Sequence, residues 1–103
     1  MSLPGLDPLI HAPARLQICA ILSAADEAEF ALVREEIGVS ESVLSKQVKL
    51  LEEAGYVAVR KATLASRQRT WLALTKAGRT AFAAHMQALT RLAATAAQGV
   101  ATA

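Results

Sequence analysis

The sequence predicts a mainly α-helical fold that carries one small β-hairpin. Three observations lead there. Alanine fills 23 of the 103 positions, and it has the highest intrinsic helix propensity of any residue. Apolar residues recur at spacings of three and four along most of the chain, the pattern of helices with one buried face. Only between Val57 and Thr75 does that period give way to strand-length runs of β-branched and aromatic residues. A chain of this length makes a single domain, residues 1–103, with one modest core. That core is smaller than the 53% apolar composition suggests, because each alanine buries little area.

Taken in order, Pro4, Gly5 and Pro8 mark an extended or turn-like start. Pro13 suits the first turn of a helix in ARLQICAILSAA, where Leu16, Ile18, Cys19, Ile21 and Leu22 supply the apolar face. The acidic run ADEAE breaks the pattern. A short helix follows in FALVREEIG, with Phe30, Val33 and Ile37 facing inward and Gly38 placed to end it in a left-handed conformation. After a brief turn, Ser40 is a good N-cap for a helix over 41–54, and Glu41 suits the positive helix end. Leu44, Val48 and Leu51 make its buried stripe, closed by Ala54, and Gly55 ends it. VAVRKA and RTWLALT read as two strands joined by the polar, basic loop TLASRQ. Leu72 and Leu74 lie on one face of the second strand, Trp71 and Ala73 on the other. A lone hairpin is not stable in water, so this one must pack on the helices. Thr75 caps a final helix over about 76–97, roughly 30 Å long at ~1.5 Å per residue.

Several functions are excluded. No stretch reaches the ~20 apolar residues that span a bilayer. The start MSLPGLDPLIHAP lacks a basic run followed by an apolar one, so no secretory signal is expected, and a cytoplasmic location follows. The single cysteine, Cys19, rules out an intramolecular disulfide or a cysteine-cluster metal site. Mid-helix among apolar neighbours, it reads as a buried structural thiol. His11 and His85 are too few for a metal site, and no nucleophile-base-orienter set or phosphate-binding glycine loop is present. Neither an enzyme, a metal nor a cofactor is expected.

Charge is distributed unevenly. All nine carboxylates lie between Asp7 and Glu53, against four cations, a balance of −5. From Ala54 onward there are seven cations and no carboxylate. Such asymmetry points to a polyanionic partner. The order of elements gives that partner a form: helix, short helix, tight turn, helix, basic hairpin, long helix is a helix-turn-helix followed by a wing. In such units the second helix of the pair enters the DNA major groove and the first crosses the backbone.

The residues left over by the core then acquire roles. Ser40, Ser42 and Ser45 are suited to phosphates or base edges, Val43 to a thymine methyl, and Gln47 to adenine. Lys46 and Lys49 are suited to phosphates or guanine acceptors. In the wing, about 57–75, Arg67 and Arg69 lie at or near the tip and Arg60 and Lys61 at its base, where they would follow the backbone or enter a narrow minor groove. The rival reading is a protein–protein interaction module, which would favour exposed aromatic or leucine patches; Val43 and Leu50 are the only candidates for one.

One such unit makes few base contacts, and specific sites usually take two. Residues 9–81 therefore read as the DNA-binding core and 82–97 as a dimerisation helix. Its stripe of Phe82, Met86, Leu89, Ala93 and Ala96 would pack in a homodimer, joined by Leu9 and Ile10.

The stretch VSESVLSKQVKLLEEAGYV followed by VRKATLASRQRTWLALTKAGR resembles the winged-helix bacterial transcriptional regulators of the MarR/ArsR type. The LEEAGYV ending, the arginine-containing wing and the L-T-x-x-G approach to the last helix carry the resemblance, which spans roughly residues 9–88. It implies a dimeric repressor or activator that binds double-stranded DNA, in a family whose members often respond to a ligand, metal or oxidant. The departures are equally specific. The chain is shorter than a typical MarR protein, with fewer helices to build a ligand pocket. It has Ala65-Ser66-Arg67 where an aspartate often precedes the wing arginine, and it lacks the cysteine motif of many ArsR sensors. The sequence names no effector.

Overall fold

Leu22, Val33, Leu44, Leu51 and Leu72 are fully buried against one another, although they come from four different elements. A computed structural model of the chain describes residues 3–99 and shows how these residues meet. The elements are α1 (Pro8–His11), α2 (Pro13–Ser23), β1 (Ala28–Glu29), α3 (Phe30–Ile37), α4 (Glu41–Glu53), β2 (Val57–Leu64), β3 (Arg67–Leu74) and α5 (Lys76–Ala97). The architecture is a winged helix-turn-helix with a long C-terminal helix.

The local signals act as expected where one residue type has one job. Gly38, at φ +79°, ends α3 in the left-handed region that glycine enters without a Cβ penalty. Ser40 Oγ accepts from the Val43 N–H at 3.2 Å and so caps α4. At the start of α5, Thr75 Oγ1 accepts from the Gly78 N–H at 3.0 Å while donating to the Gly55 carbonyl at 2.6 Å.

Four features differ from the sequence-based expectation. The start is not wholly extended: Asp7 Oδ1 accepts from the Leu9 N–H and caps the short helix α1. The acidic run contains a strand, β1, which pairs Ala28 with Leu72 and Glu29 with Trp71. The sheet is therefore three-stranded and antiparallel, in the order β1-β3-β2. The wing is longer than the predicted strands, because its ladder runs from Val57↔Leu74 out to Leu64↔Arg67. Its loop is only Ala65 and Ser66, both at positive φ, as a type I′ hairpin turn requires. Ala54 is exposed and serves as the C-cap of α4, so it does not close the buried stripe.

The long helix also presents a different face. Its buried residues are Gly78, His85 and Ala88; Phe82 and Leu89 are half-buried, and Met86, Ala93 and Ala96 are exposed. A helix this rich in alanine has apolar residues at three-and-four spacing on more than one side, so periodicity alone did not choose between them. Ile10, expected at a dimer contact, is wholly buried in the chain's own core and is not available for one. Leu9 is half-buried against that core. No helix among the described residues is long and apolar enough to cross a membrane.

Candidate nucleic-acid interface

Burying Leu44, Val48 and Leu51 against α2 and the sheet turns the opposite side of α4 to solvent. Ser42, Val43, Ser45, Lys46 and Lys49 are all exposed there, and Ser40 stands at the helix start with its Oγ 3.3 Å from that of Ser42. Gln47 belongs elsewhere. It lies beside the buried stripe, half-buried, and its Oε1 accepts from Arg15 Nη1 at 2.6 Å. The same guanidinium donates through Nε to the Leu9 carbonyl at 2.6 Å. Gln47 thus ties α4 to α2, and its carboxamide oxygen, expected to be free for adenine, is engaged by Arg15 instead. The helical spacing of 44, 47 and 51 contained the signal for this placement.

The wing cations divide between two faces of the ribbon. Cross-strand partners point to the same side, so Arg60 shares a face with its partner Trp71, and Glu29, opposite Trp71 on the other flank, shares it too. Arg60 lies over the indole at 5.7 Å and forms a two-pronged contact with Glu27, at 2.6 and 3.3 Å. Arg69 pairs with Glu29 at 3.2 Å, the two side chains 34% and 24% exposed. These are the two ion pairs among the described residues. Lys61 projects from the opposite face, and Arg67 sits exposed at the outer end of the ladder, next to the two-residue turn. Arg60 and Lys61 stand mid-ribbon opposite Trp71 and Thr70, not at the wing's base as expected.

Between α4 and the ribbon runs an open cleft of about 540 Å³. Lys49 and Lys61 face each other across it, Phe30 and Leu72 contribute to its floor, and Glu41 and Glu52 lie along its helix side. The structure thus brings Ser45, Lys49 and Lys61 to one cleft. It leaves Arg60 and Arg69 neutralised on the far face. A cationic edge that retains its charge can exchange condensed counterions for phosphates, whereas a paired arginine must first leave its carboxylate.

The remaining ionisable groups serve the interior. Cys19 is wholly buried, and burial, with Asp7 nearby, pushes its thiol up to about 11, the opposite of an activated cysteine. No group of three His, Cys, Asp or Glu residues able to hold a metal gathers among the described residues.

Comparison with known proteins agrees with this geometry. Residues 14–93 match the family model described as the winged helix DNA-binding domain. An uncharacterized protein of Methanocaldococcus jannaschii is 30% identical over 74 residues, covering 72% of this chain and 80% of that one. Among solved structures, a transcriptional regulator homologue from Pyrococcus horikoshii OT3 superposes with a TM-score of 0.77 at 24% identity, covering 82% of this chain and 83% of that one. The transcriptional repressor BigR from Xylella fastidiosa gives 0.62 at 24% identity, with 76% and 74% covered.

Proposed function

The chain belongs to the winged helix DNA-binding domain family, and from that premise we propose that it is a homodimeric transcriptional regulator of the MarR/ArsR type, reading a specific site in double-stranded DNA. The observation that carries this reading is the exposed serine-and-lysine side of α4, facing Lys61 across the cleft. In it, Ser42, Val43, Ser45 and Lys46 enter the major groove, and Lys49, Lys61 and Arg67 hold phosphates or, for Arg67, the minor groove. The MarR/ArsR assignment is supported by the LEEAGYV and L-T-x-x-G stretches, which make the turn into β2 and the capped start of α5.

The dimer is supported by what α5 leaves uncovered. Every residue from Thr90 to Gly99 is exposed, and Met86 and Leu92 keep 40% and 49% of their surface. The radius of gyration is 16.0 Å, against about 13 Å for a compact chain of this size. A second copy packed on the distal half of α5 covers this surface, with Met86, Leu89, Ala93 and Ala96 at the contact. The two α4 helices then stand about one DNA turn apart, ~34 Å.

The test is fluorescence anisotropy with DNA from upstream of the protein's own gene, titrated at several salt concentrations beside an unrelated duplex of equal length. A preference of about 10³ or more for the upstream DNA is expected, with a steep log–log salt dependence. No binding even at low salt would sink the reading and turn the search to protein partners. The wing gives a finer prediction. Arg67→Ala should lower affinity and leave the melting temperature in place, because the side chain is exposed and is in no ion pair among the described residues. Arg69→Ala should do the reverse: little change in affinity, and a stability loss within about 1 kcal/mol, the usual value of a partly exposed pair. Equal affinity losses in both variants would show that the Glu29 pair opens on DNA.

A further inference from the structure

The segment before α2 is strapped along α5. Gly5 lies so close to Ala84 that a Cβ there would stand 2.9 Å from the Ala84 carbonyl oxygen. Arg91 donates to the Pro4 carbonyl at 3.0 Å, and the Asp7 N–H donates to Nδ1 of His85 at 3.0 Å. His85 is the one polar side chain buried among the described residues, with none of its surface exposed.

That last bond fixes where the protons are. A neutral imidazole has one N–H; since Nδ1 of His85 accepts, its proton is on Nε2. Nε2 lies 3.3 Å from Nδ1 of the exposed His11, so His85 donates to His11. The hydrogen bonds run in one direction, from Asp7 N–H to His85 and from His85 to His11. A proton added at Nδ1 of His85 meets the Asp7 N–H, and one added at Nδ1 of His11 meets the His85 N–H. Asp7 connects this relay to the DNA-facing half of the fold, because its Oδ2 accepts from the Tyr56 hydroxyl at 2.6 Å. Tyr56 lies between the end of α4 and the first residue of β2.

We propose that the His85–His11 pair is a pH-operated latch, which holds residues 3–11 on α5 and, through Asp7, on the root of the wing, and which opens when the pair takes up a proton. The groups facing the pair are few. Asp7 faces it from the N-terminal segment, with Tyr56 and the buried Cys19 of α2 grouped around the Asp7 carboxylate. The neighbouring cations are held elsewhere, Arg15 by Leu9 and Gln47 and Arg91 by Pro4. Burial and then His11 push the His85 imidazole below its ordinary value of 6.5, and the opposing pull of Asp7 is smaller. The unfolded chain therefore takes up this proton at higher pH than the folded one. The latch is whole above about 6.5, and its contribution is lost as pH falls from there through the lowered folded value.

The test is NMR of the full chain without DNA, so its outcome is independent of what α4 binds. Imidazole ¹⁵N shifts report the protonation of each ring, and the Asp7 amide reports the strap. Between about pH 7.5 and pH 5, protection of the Asp7 amide against exchange should fall about tenfold or more, in step with protonation of the pair. His85→Asn places a carbonyl oxygen where Nδ1 stood, keeps an acceptor for Asp7 and cannot be protonated, so its Asp7 amide should lose the pH response. Should that variant not fold, His11→Ala at the exposed end removes the acceptor for His85 and should lower Asp7 protection already at pH 7.5. Protection that stays flat while both rings titrate, falls equally in His85→Asn, or is untouched at pH 7.5 by His11→Ala overturns the proposal.

Discussion

Gly78→Ala is expected to destabilise the chain by about 3 kcal/mol or more, the upper range for overpacking. In the first turn of an exposed helix the same change would favour folding by up to ~1 kcal/mol through helix propensity. Here the sign reverses, because an added Cβ would stand 2.1 Å from the Tyr56 carbonyl oxygen and 2.9 Å from its carbon. Both are backbone atoms and neither can rotate away. That carbonyl also accepts from the Thr75 N–H at 3.0 Å, so displacing it disturbs the start of α5 and the start of the wing together. For a domain of this size the loss corresponds to a fall of roughly 12–24 °C in Tm. Thermal unfolding followed by circular dichroism checks it, and a shift of only a degree or two would show that α5 slides off Tyr56 at little cost.

The second large effect is on DNA. Lys46→Ala combined with Lys49→Ala should flatten the log–log salt slope by about 1.8, at roughly 0.9 per phosphate contact on duplex DNA. It should also weaken binding to all sequences alike, since phosphate contacts position a protein without reading bases. Both side chains are exposed and neither is in an ion pair among the described residues, so stability should hold. Anisotropy titrations of the double variant at four or five salt concentrations measure the slope. A slope equal to that of the wild type would remove both lysines from the interface.

These two residue sets differ in how far the sequence revealed them. The helix boundaries were legible because Ser40, Gly38, Gly55 and Thr75 each satisfy or release backbone groups locally, within three residues of where they stand. The outward side of α4 was legible for the same reason, apart from Gln47, whose role is fixed by Arg15 thirty-two positions away. The cap of α1 by Asp7 and the two-residue turn at Ala65 and Ser66 were local and were missed all the same; the remaining misses are non-local. β1 is two residues long and has no period to detect; it exists because the Leu72 strand is there to pair with. The charge asymmetry along the chain overstated the charge in space, since Glu27 reaches Arg60 across 33 positions and Glu29 reaches Arg69 across 40. In the sequence His85 was one of two histidines too few for a metal site, and only the folded N-terminal segment shows why a histidine is buried there.

The sheet order has a consequence for the protein at high concentration. β1 covers β3 only at Leu72 and Trp71, and β2 keeps an unshared edge along its whole length. Such an edge is a template on which copies of a chain add to one another. If two copies of β2 pair antiparallel about their centres, each residue stands opposite one of the same parity, and a pairing centred on Lys61 sets the two Lys61 side chains directly against each other. Like charges directly opposed repel. The middle of the wing therefore resists fibre growth at the point where growth would start, whatever its tip holds.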